Sequence, residues 1–176
     1  MNEFRMSPYV EVDGVPSYKD SEILELYRRV VAEGCAHVFR DRSITGEGAF
    51  LRMAKAQHTA IYVAYVRGET AGCVWLNRFQ ARFAQANFFT FRQFWGQDAL
   101  GLGRHCLREL ITMRGDDGAF ILDMLVGITP ADNPLAVAFA LKCGWKRRGL
   151  LPFGAYDAEA GASLPAVLTT VTREDV

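Results

Sequence analysis

Hydrophobic and polar positions follow two patterns along the chain, one typical of strands and one typical of helices, and together they predict a sheet covered by helices. Runs rich in β-branched and aromatic residues are typical of strands, and they occupy residues 59–66, 71–80, 81–94, 120–129, 145–151 and 166–174. Apolar residues that recur at three- and four-residue steps indicate amphipathic helices, predicted at residues 21–34, 46–57, 99–113 and 134–144. Strands and helices in this order indicate an α/β fold.

The first residues carry weaker signals. Residues 4–12 (FRMSPYVEV) could form a first strand, but Pro8 interrupts it, so residues 1–16 are at best an edge or a poor strand. Ser17 and Asp20 have the spacing of a capping box, which predicts the start of the first helix. Asn133 followed by Pro134 is a favourable start for the last helix.

Composition narrows the class of protein. A length of 176 residues predicts a single domain with a substantial core. Twenty basic and 20 acidic residues cancel, which argues against nucleic acid or an anionic membrane as the main partner. Neither a signal peptide nor a membrane span is legible in the sequence. Four scattered cysteines indicate reduced thiols and a cytoplasmic location, and three scattered histidines indicate no metal site.

The most informative stretch is residues 85–114, where an aromatic strand passes through a turn into a helix. Gly101 and Gly103 are predicted to lie in the first turn of this helix. Glycine is unfavourable inside helices, so a pair indicates a close approach to the backbone. Because the first turn offers unpaired N–H groups and the positive end of the helix dipole, the segment predicts a site for phosphate. The alternative is that the glycines only allow tight packing.

The window Asp98–Gly103 (DALGLG) resembles motif A of the GNAT-type N-acetyltransferases, R/Q-x-x-G-x-G/A, with Asp98 at the position of the Arg or Gln. Residues 129–145 are similar to motif B of that family through Asn133, Ala136, Gly144 and Trp145. The resemblance covers residues 17–174. It implies a single-domain α/β fold with a mixed, twisted sheet, about four flanking helices, and a central parallel strand pair that splays apart.

The resemblance also implies acetyl-CoA as co-substrate. In the family, backbone amides of motif A hold the pyrophosphate, and the pantetheine arm pairs with the exposed end of the preceding strand. Carried over to this chain, the cofactor-binding residues are Phe91, Arg92, Gln93, Phe94, Asp98, Leu100, Gly101, Leu102, Gly103, Arg104 and Asn133.

Catalytic residues are harder to assign, because the tyrosine that protonates the thiolate in the family is replaced by Ala140. Tyr156, in a predicted loop after residues 145–151, is the nominated proton donor, since a phenol is protonated at neutral pH. Asp123 is the one carboxylate within an apolar strand, and it is the candidate base or substrate anchor. Each could instead be an ordinary structural residue, and ordered water could replace the base.

The function implied is therefore transfer of an acetyl group from acetyl-CoA to a primary amine of a small molecule or peptide. A homodimer is a possible assembly. Two alternatives stay open: a degenerate GNAT fold that binds CoA or a partner protein without acyl transfer, and a protein-interaction domain that uses its aromatic surface.

Overall fold

A computed structural model describes residues 3–176, which form a seven-stranded sheet, a small hairpin and four α-helices. The strands are β1 (Phe4–Pro8), β2 (Glu11–Val12), β3 (Val15–Pro16), β4 (Ala60–Val66), β5 (Glu69–Gln80), β6 (Phe83–Thr90), β7 (Met124–Pro130), β8 (Lys146–Asp157) and β9 (Ala162–Thr172). The helices are α1 (Asp20–Ala32), α2 (Glu47–Ala54), α3 (Gln97–Thr112) and α4 (Pro134–Cys143).

The order of strands in the large sheet is β1-β4-β5-β6-β7-β9-β8. The neighbours β6 and β7 are parallel, with Phe83 opposite Met124 and Gln85 opposite Val126, and every other neighbouring pair is antiparallel. The predicted mixed sheet with a central parallel pair is therefore confirmed. The predicted first strand is the edge strand β1, while Met1 and Asn2 of that segment lie outside the described residues.

The start of α1 differs from the prediction. The Lys19 backbone N–H donates to the Glu22 carboxylate over 2.7 Å, so Lys19 and Glu22 form the capping interaction. Ser17 instead accepts a hydrogen bond from the Val10 N–H and donates to the Pro8 carbonyl. The predicted Ser17–Asp20 capping box is wrong because the Ser17 hydroxyl is engaged with the β2–β3 hairpin region.

One layer of the core is aromatic and lies between the sheet and α1–α2. Phe39 stacks on Trp75, and Phe50 from α2 lies within 6.3 Å of Phe89 from β6, measured between ring centroids. Burial of one such ring contributes about 1.5–3 kcal/mol. Phe91 and Phe94, from the aromatic run after β6, are also buried, so these two side chains serve the core. Helices α3 and α4 pack against each other.

Candidate functional site

A gap opens between the two parallel strands of the sheet. Strand β6 pairs with β5 as far as Thr90, but with β7 only as far as Gln85. From Ala86 to Thr90 the edge of β6 that faces β7 therefore has no strand partner among residues 3–176. An unpaired edge presents backbone N–H and C=O groups, which can pair with an extended chain that carries amides.

The interior of this gap is narrow and apolar. The rings of Phe88 on β6 and Phe139 on α4 lie with centroids 5.0 Å apart. The remaining cavity has a volume of about 30 Å³, and its lining includes these two rings together with Gly103, Cys106 and Cys143. This space accommodates roughly one water-sized group.

Two buried thiols line the same cavity. Burial raises the pKa of Cys106 to about 12 and the pKa of Cys143 to about 11. At neutral pH both are therefore protonated and weakly nucleophilic. All four cysteines are free and buried, and residues 3–176 contain no group of three or more His, Cys, Asp or Glu side chains placed to hold a metal.

The start of α3 lies at the open end of β6. The helix begins at Gln97 after Gly96, whose φ of 95° is in the region that favours glycine. The N–H of Leu100 bonds to the Gly96 carbonyl over 3.1 Å, so the unbonded N–H groups of the first turn belong to Gln97, Asp98 and Ala99. These groups and the helix dipole favour an anion at this end.

The predicted position of Gly101 and Gly103 in the first turn is wrong, because α3 begins at Gln97 and both residues fall in its second turn. A Cβ atom on Gly101 would lie 2.3 Å from the Phe4 ring, and one on Gly103 would lie 2.6 Å from the Cys143 sulfur. The glycines thus let β1 and α4 approach α3 closely. Their contribution to cofactor binding stays a prediction.

Asp98, at the motif A position usually held by Arg or Gln, is paired with Arg67. The two guanidinium nitrogens of Arg67 lie 2.9 and 2.6 Å from the Asp98 carboxylate oxygens. These hydrogen bonds lower the pKa of Asp98 below its usual value. The negative charge of Asp98 is therefore offset, and an arginine stands beside the free N–H groups of α3.

The other predicted cofactor residues lie around this end of the fold. Strand β6 ends at Thr90, before the residues 91–94 that the family resemblance predicts to contact the pantetheine arm. Phe91 is buried, and residues 92–94 form a 3-10 turn. The unpaired strand edge is therefore Ala86–Thr90. The Arg92 N–H donates to Glu33 over 2.6 Å. Leu102 is buried in the core, and Leu100 is partly buried and packs against that core. The Arg104 guanidinium donates a hydrogen bond to the Lys142 carbonyl.

The predicted cap of α4 is confirmed. Asn133 Oδ1 accepts a hydrogen bond from the Ala136 N–H over 3.1 Å, and Pro134 is the first helical residue. The side-chain oxygen of Asn133 thus stabilises the helix start, and its predicted role toward CoA remains untested. Ala140, at the position of the family tyrosine, is buried.

Asp123 does not lie inside an apolar strand, as the sequence suggested. It precedes β7, at the opposite end from the gap, and its side chain is 48% exposed. Arg82 and Arg173 contact its two carboxylate oxygens over 2.6 and 2.8 Å, and these hydrogen bonds lower its pKa to about 2. A carboxylate with so low a pKa is a poor base at neutral pH. This geometry argues against the predicted catalytic role.

We expect Asp123→Asn to remove a pH-dependent contribution to stability. Folding lowers the pKa of Asp123 from 3.8 to about 2. The stability that the ionised carboxylate contributes is therefore fully present above pH 3.8 and is lost as the pH falls through about 2. The difference in unfolding free energy between wild type and variant should therefore shrink as the pH is lowered through this range. Urea titrations at several pH values measure it, and a pH-independent difference would contradict the assignment.

Tyr156 lies on β8 rather than in a loop. It is opposite Ser163 of β9, and β9 separates β8 from β7 in the sheet. Its side chain is 47% exposed. The structure therefore places the nominated proton donor on the outermost strand, and its catalytic role stays a prediction.

A chain of three amide side chains at the closed end of the gap was missed by the sequence analysis. Gln85 Nε2 donates to Asn87 Oδ1 over 3.1 Å, and Asn87 Nδ2 donates to Asn77 Oδ1 over 3.3 Å. Gln85 is the last residue of β6 that pairs with β7. By strand alternation, Gln85 and Asn87 share the sheet face of Phe89, which packs toward α1–α2. The signal in the sequence was two polar residues at alternate positions of an apolar strand.

A second, polar cleft opens beside the Phe39 ring. It has a volume of about 390 Å³ and is lined by His37, Phe39, Arg40, Arg42, Asp157 and Glu159. Arg40 links the segment before α4 to the end of β8, because its guanidinium contacts Asp132 over 2.9 Å and Asp157 over 2.7 Å. Since Phe39 stacks on Trp75, this cleft adjoins the sheet face that carries the amide chain.

Comparison with known proteins supports a fold assignment. No protein-family model and no curated protein sequence matches the chain. Solved structures do match, among them an acetyltransferase from Salmonella typhimurium that modifies the N-terminal serine of ribosomal protein L7/L12, with a TM-score of 0.75, 15% identity, and coverage of 98% of this chain and 96% of that one.

Two further matches are acetyltransferases with bound ligands. The spermidine N-acetyltransferase of Vibrio cholerae, in complex with CoA and spermine, has a TM-score of 0.72, 12% identity, and coverage of 98% and 97%. The microcin C7 self-immunity acetyltransferase MccE, in complex with acetyl-CoA and AMP, has a TM-score of 0.68, 17% identity, and coverage of 88% of both chains. At these identities the likeness concerns the fold, and it confirms the predicted GNAT-like architecture.

Proposed function

We propose that the protein is an N-acetyltransferase that moves an acetyl group from acetyl-CoA to a primary amine. The observation that carries the proposal is the gap between β6 and β7, with its unpaired edge at Ala86–Thr90 leading to the start of α3. The structural matches to acetyltransferases with bound CoA or acetyl-CoA support it.

The residues present fit acetyl-CoA in two places. The unpaired edge of β6 would hold the two amides of the pantetheine arm, and the free N–H groups of residues 97–99 with Arg67 would hold the pyrophosphate. A cavity of about 30 Å³ is too small for the arm, so the Phe139 ring must leave the gap when the cofactor binds. When bound, acetyl-CoA would supply the thioester that the amine attacks.

The amide chain is the polar group best placed to orient the acceptor. Gln85 uses its Nε2 to donate to Asn87, which leaves its Oε1 available to accept an N–H from the amine. An amide does not act as a base at neutral pH, so the proton of the attacking amine would pass to water. Gln85 is thus a positioning residue. Proton donation by Tyr156 stays part of the proposal, although its place on β8 favours water as the source.

The proposal is tested by titrating the protein with acetyl-CoA in a calorimeter and by following thiol release in the presence of amines. Arg67→Ala should weaken acetyl-CoA binding about 10- to 100-fold, because a charge-assisted hydrogen bond contributes about 1.5–3 kcal/mol. Asp98→Asn should strengthen it, since the carboxylate that competes for Arg67 is removed. Arg52→Ala on α2 is the matched control and should bind as wild type. Absence of acetyl-CoA binding by the wild type would overturn the proposal.

A degenerate fold that binds CoA or a partner protein without acyl transfer is the second candidate. The buried Ala140 at the tyrosine position and the small cavity favour it. Calorimetric binding of acetyl-CoA without thiol release, across small amines and N-terminal peptides, would select this candidate over the enzyme.

The same proposal includes the domain organisation, location, acceptor and assembly of the protein. Residues 1–176 would form a single domain, located in the cytoplasm, that acts on a small-molecule or peptide acceptor and assembles as a homodimer. Within residues 3–176, no helix is both long enough and apolar enough to cross a membrane.

A further inference from the structure

The polar cleft beside the Phe39 ring lies next to the amide chain of the β6–β7 gap. Its volume of about 390 Å³ is within the range of small-molecule sites. Phe39 stacks on Trp75, and Trp75 lies directly opposite Asn87 in the pairing of β5 with β6. Gln85 is two residues from Asn87 along β6, which corresponds to about 6–7 Å in a strand. A ligand in the cleft can therefore reach Gln85 with a chain of a few carbon atoms.

The two walls of the polar cleft are fixed to each other. The Arg40 guanidinium contacts the Asp157 carboxylate over 2.7 Å, and the Ala158 N–H donates to the Arg40 carbonyl over 3.2 Å. The other Asp157 oxygen accepts hydrogen bonds from the Glu159 and Ala160 N–H groups over 2.9 and 3.1 Å, which fixes the turn after β8. Because the walls are already joined, little conformational entropy is lost when a small ligand binds between them.

One positive and one negative charge of this cleft have no ion-pair partner among residues 3–176. Arg40 is paired with Asp132 and Asp157, so its charge is offset. Arg42 and Glu159 also line the cleft, and both are exposed. Neither belongs to an ion pair within the described part of the chain. The cleft therefore offers one cation and one anion to a ligand.

The backbone holds Arg42 at the wall of the cleft. Its N–H bonds to the Phe39 carbonyl over 2.9 Å, and its φ is 55°, which is uncommon for residues other than glycine. The carboxylate of the preceding Asp41 accepts hydrogen bonds from the N–H and the hydroxyl of Ser43, and Asp41 does not line the cleft. His37, which does line it, can donate a ring N–H. This side of the cleft therefore suits a carboxylate.

We propose that the acceptor is an α-amino acid whose side chain ends in a primary amine. Its α-carboxylate would bind Arg42, its α-ammonium would bind Glu159, and its side-chain amine would reach Gln85. The inference rests on the proposed acetyl transfer and names the substrate class for it. The nitrogen of the neutral side-chain amine would bond to the acetyl carbon as the carbon–sulfur bond breaks, with one proton lost to water and one taken up by the departing thiolate.

The two unpaired charges disfavour other kinds of amine. A polyamine carries no anion for Arg42, and the guanidinium repels its ammonium groups. An α-amino acid without a second amine would present its only amine to Glu159, in the cleft, rather than to Gln85. A simple alkylamine reaches Gln85 but leaves both charges of the cleft without a partner. An amino acid with two amines satisfies all three groups at once.

The first test is binding of L-lysine and L-ornithine without acetyl-CoA, followed by NMR titration. We expect the wild type to bind both about 10-fold more tightly than L-lysine amide, which lacks the carboxylate, or Nα-formyl-L-lysine, which lacks the α-ammonium. Arg42→Ala should remove the preference over the amide, and Glu159→Gln the preference over the formyl compound. Arg42→Lys keeps the charge and should retain part of the first preference.

Arg108→Ala is the matched control for Arg42→Ala. Arg108 is also exposed and also lacks an ion pair within residues 3–176, but it lies on α3 and does not line the cleft. This variant should keep both preferences. Equal binding of the four compounds by the wild type, or the same loss in Arg108→Ala as in Arg42→Ala, would overturn the inference.

The second test is thiol release from acetyl-CoA, which separates this inference from the proposed function. L-lysine or L-ornithine should give a higher kcat/KM than butylamine, and Arg42→Ala should lower that value about 10-fold while leaving butylamine unchanged. Thiol release with butylamine but no preference for either amino acid would overturn the inference and leave acetyl transfer standing. Binding with the expected preferences but without thiol release would support the assignment of the cleft to an amino-acid head group and overturn acetyl transfer.

Discussion

Gly72→Ala is expected to be the most destabilising single-methyl substitution in the sheet. A Cβ atom at this position would lie 2.1 Å from the Phe89 carbonyl oxygen and 2.9 Å from the Thr90 Cα. Both obstacles belong to the backbone of β6, so relief requires separation of two paired strands. Overpacking of a core costs about 1–3 kcal/mol, and a backbone obstacle should bring the loss to the upper end of this range, about 3 kcal/mol. Urea denaturation followed by circular dichroism measures it.

Gly149→Ala provides the matched comparison for Gly72→Ala. Gly149 also lies in a strand, its φ is not positive, and no atom lies within 4 Å of a Cβ atom built on it. We expect this substitution to change the unfolding free energy by less than about 0.5 kcal/mol, as is usual at the surface. Similar losses in both variants would show that the cost of Gly72→Ala does not come from the contact with β6.

Gln85→Ala is expected to lower kcat/KM for the amine by about 10- to 100-fold if the proposed acetyl transfer is correct. This decrease corresponds to the loss of the hydrogen bond between Gln85 and the amine, which becomes charged as it attacks. Such a bond contributes about 1.5–3 kcal/mol. Because Gln85 lies at the closed end of the gap, on the face away from α3, acetyl-CoA affinity should stay near the wild-type value. Steady-state kinetics with a panel of amines, combined with calorimetry, separates the two effects.

Gln85→Glu and Gln80→Ala distinguish a positioning role from a structural one. Gln85→Glu keeps an acceptor oxygen and should retain much of the activity, with a new dependence on pH from the introduced carboxyl group. Gln80 is exposed at the end of β5, opposite Phe83 and away from the gap, so its removal should leave kinetics unchanged. If Gln85→Glu is as impaired as Gln85→Ala at every pH, the amide chain serves the fold rather than the acceptor.

The sheet could be predicted because the residues of most of its strands differ clearly in type from the residues of the turns that flank them. Residues 60–66 and 71–76 consist mainly of β-branched, aromatic and small apolar residues, and a short turn joins them, so pattern and turn chemistry agree. The parallel pair followed from the predicted order of strand, helix and strand. The start of α3 was misplaced because Gly96 offers no side chain to mark a helix cap, and the helix period alone does not fix its first turn.

The site was less predictable, because its electrostatics depend on contacts between distant residues. Asp123 appeared to be a buried carboxylate, yet its partners Arg82 and Arg173 are 41 and 50 positions away in the sequence. Asp98 stands at the motif A position of Arg or Gln, and the residue that pairs with its carboxylate, Arg67, is 31 positions away. Pattern analysis gives the faces of strands and helices, but it does not give the charges that meet across them.

The native thiols beside the β6–β7 gap make local opening of the fold measurable without an introduced cysteine. Cys106 and Cys143 are buried and protonated at neutral pH, so an aqueous thiol reagent reacts with them only when α3 and α4 separate. The labelling rate at Cys106 and Cys143, separated from that at Cys35 and Cys73 by peptide mass spectrometry, therefore reports how often this part of the molecule opens. A ligand that enters between these helices and holds them in place would slow that rate, whatever its chemical identity.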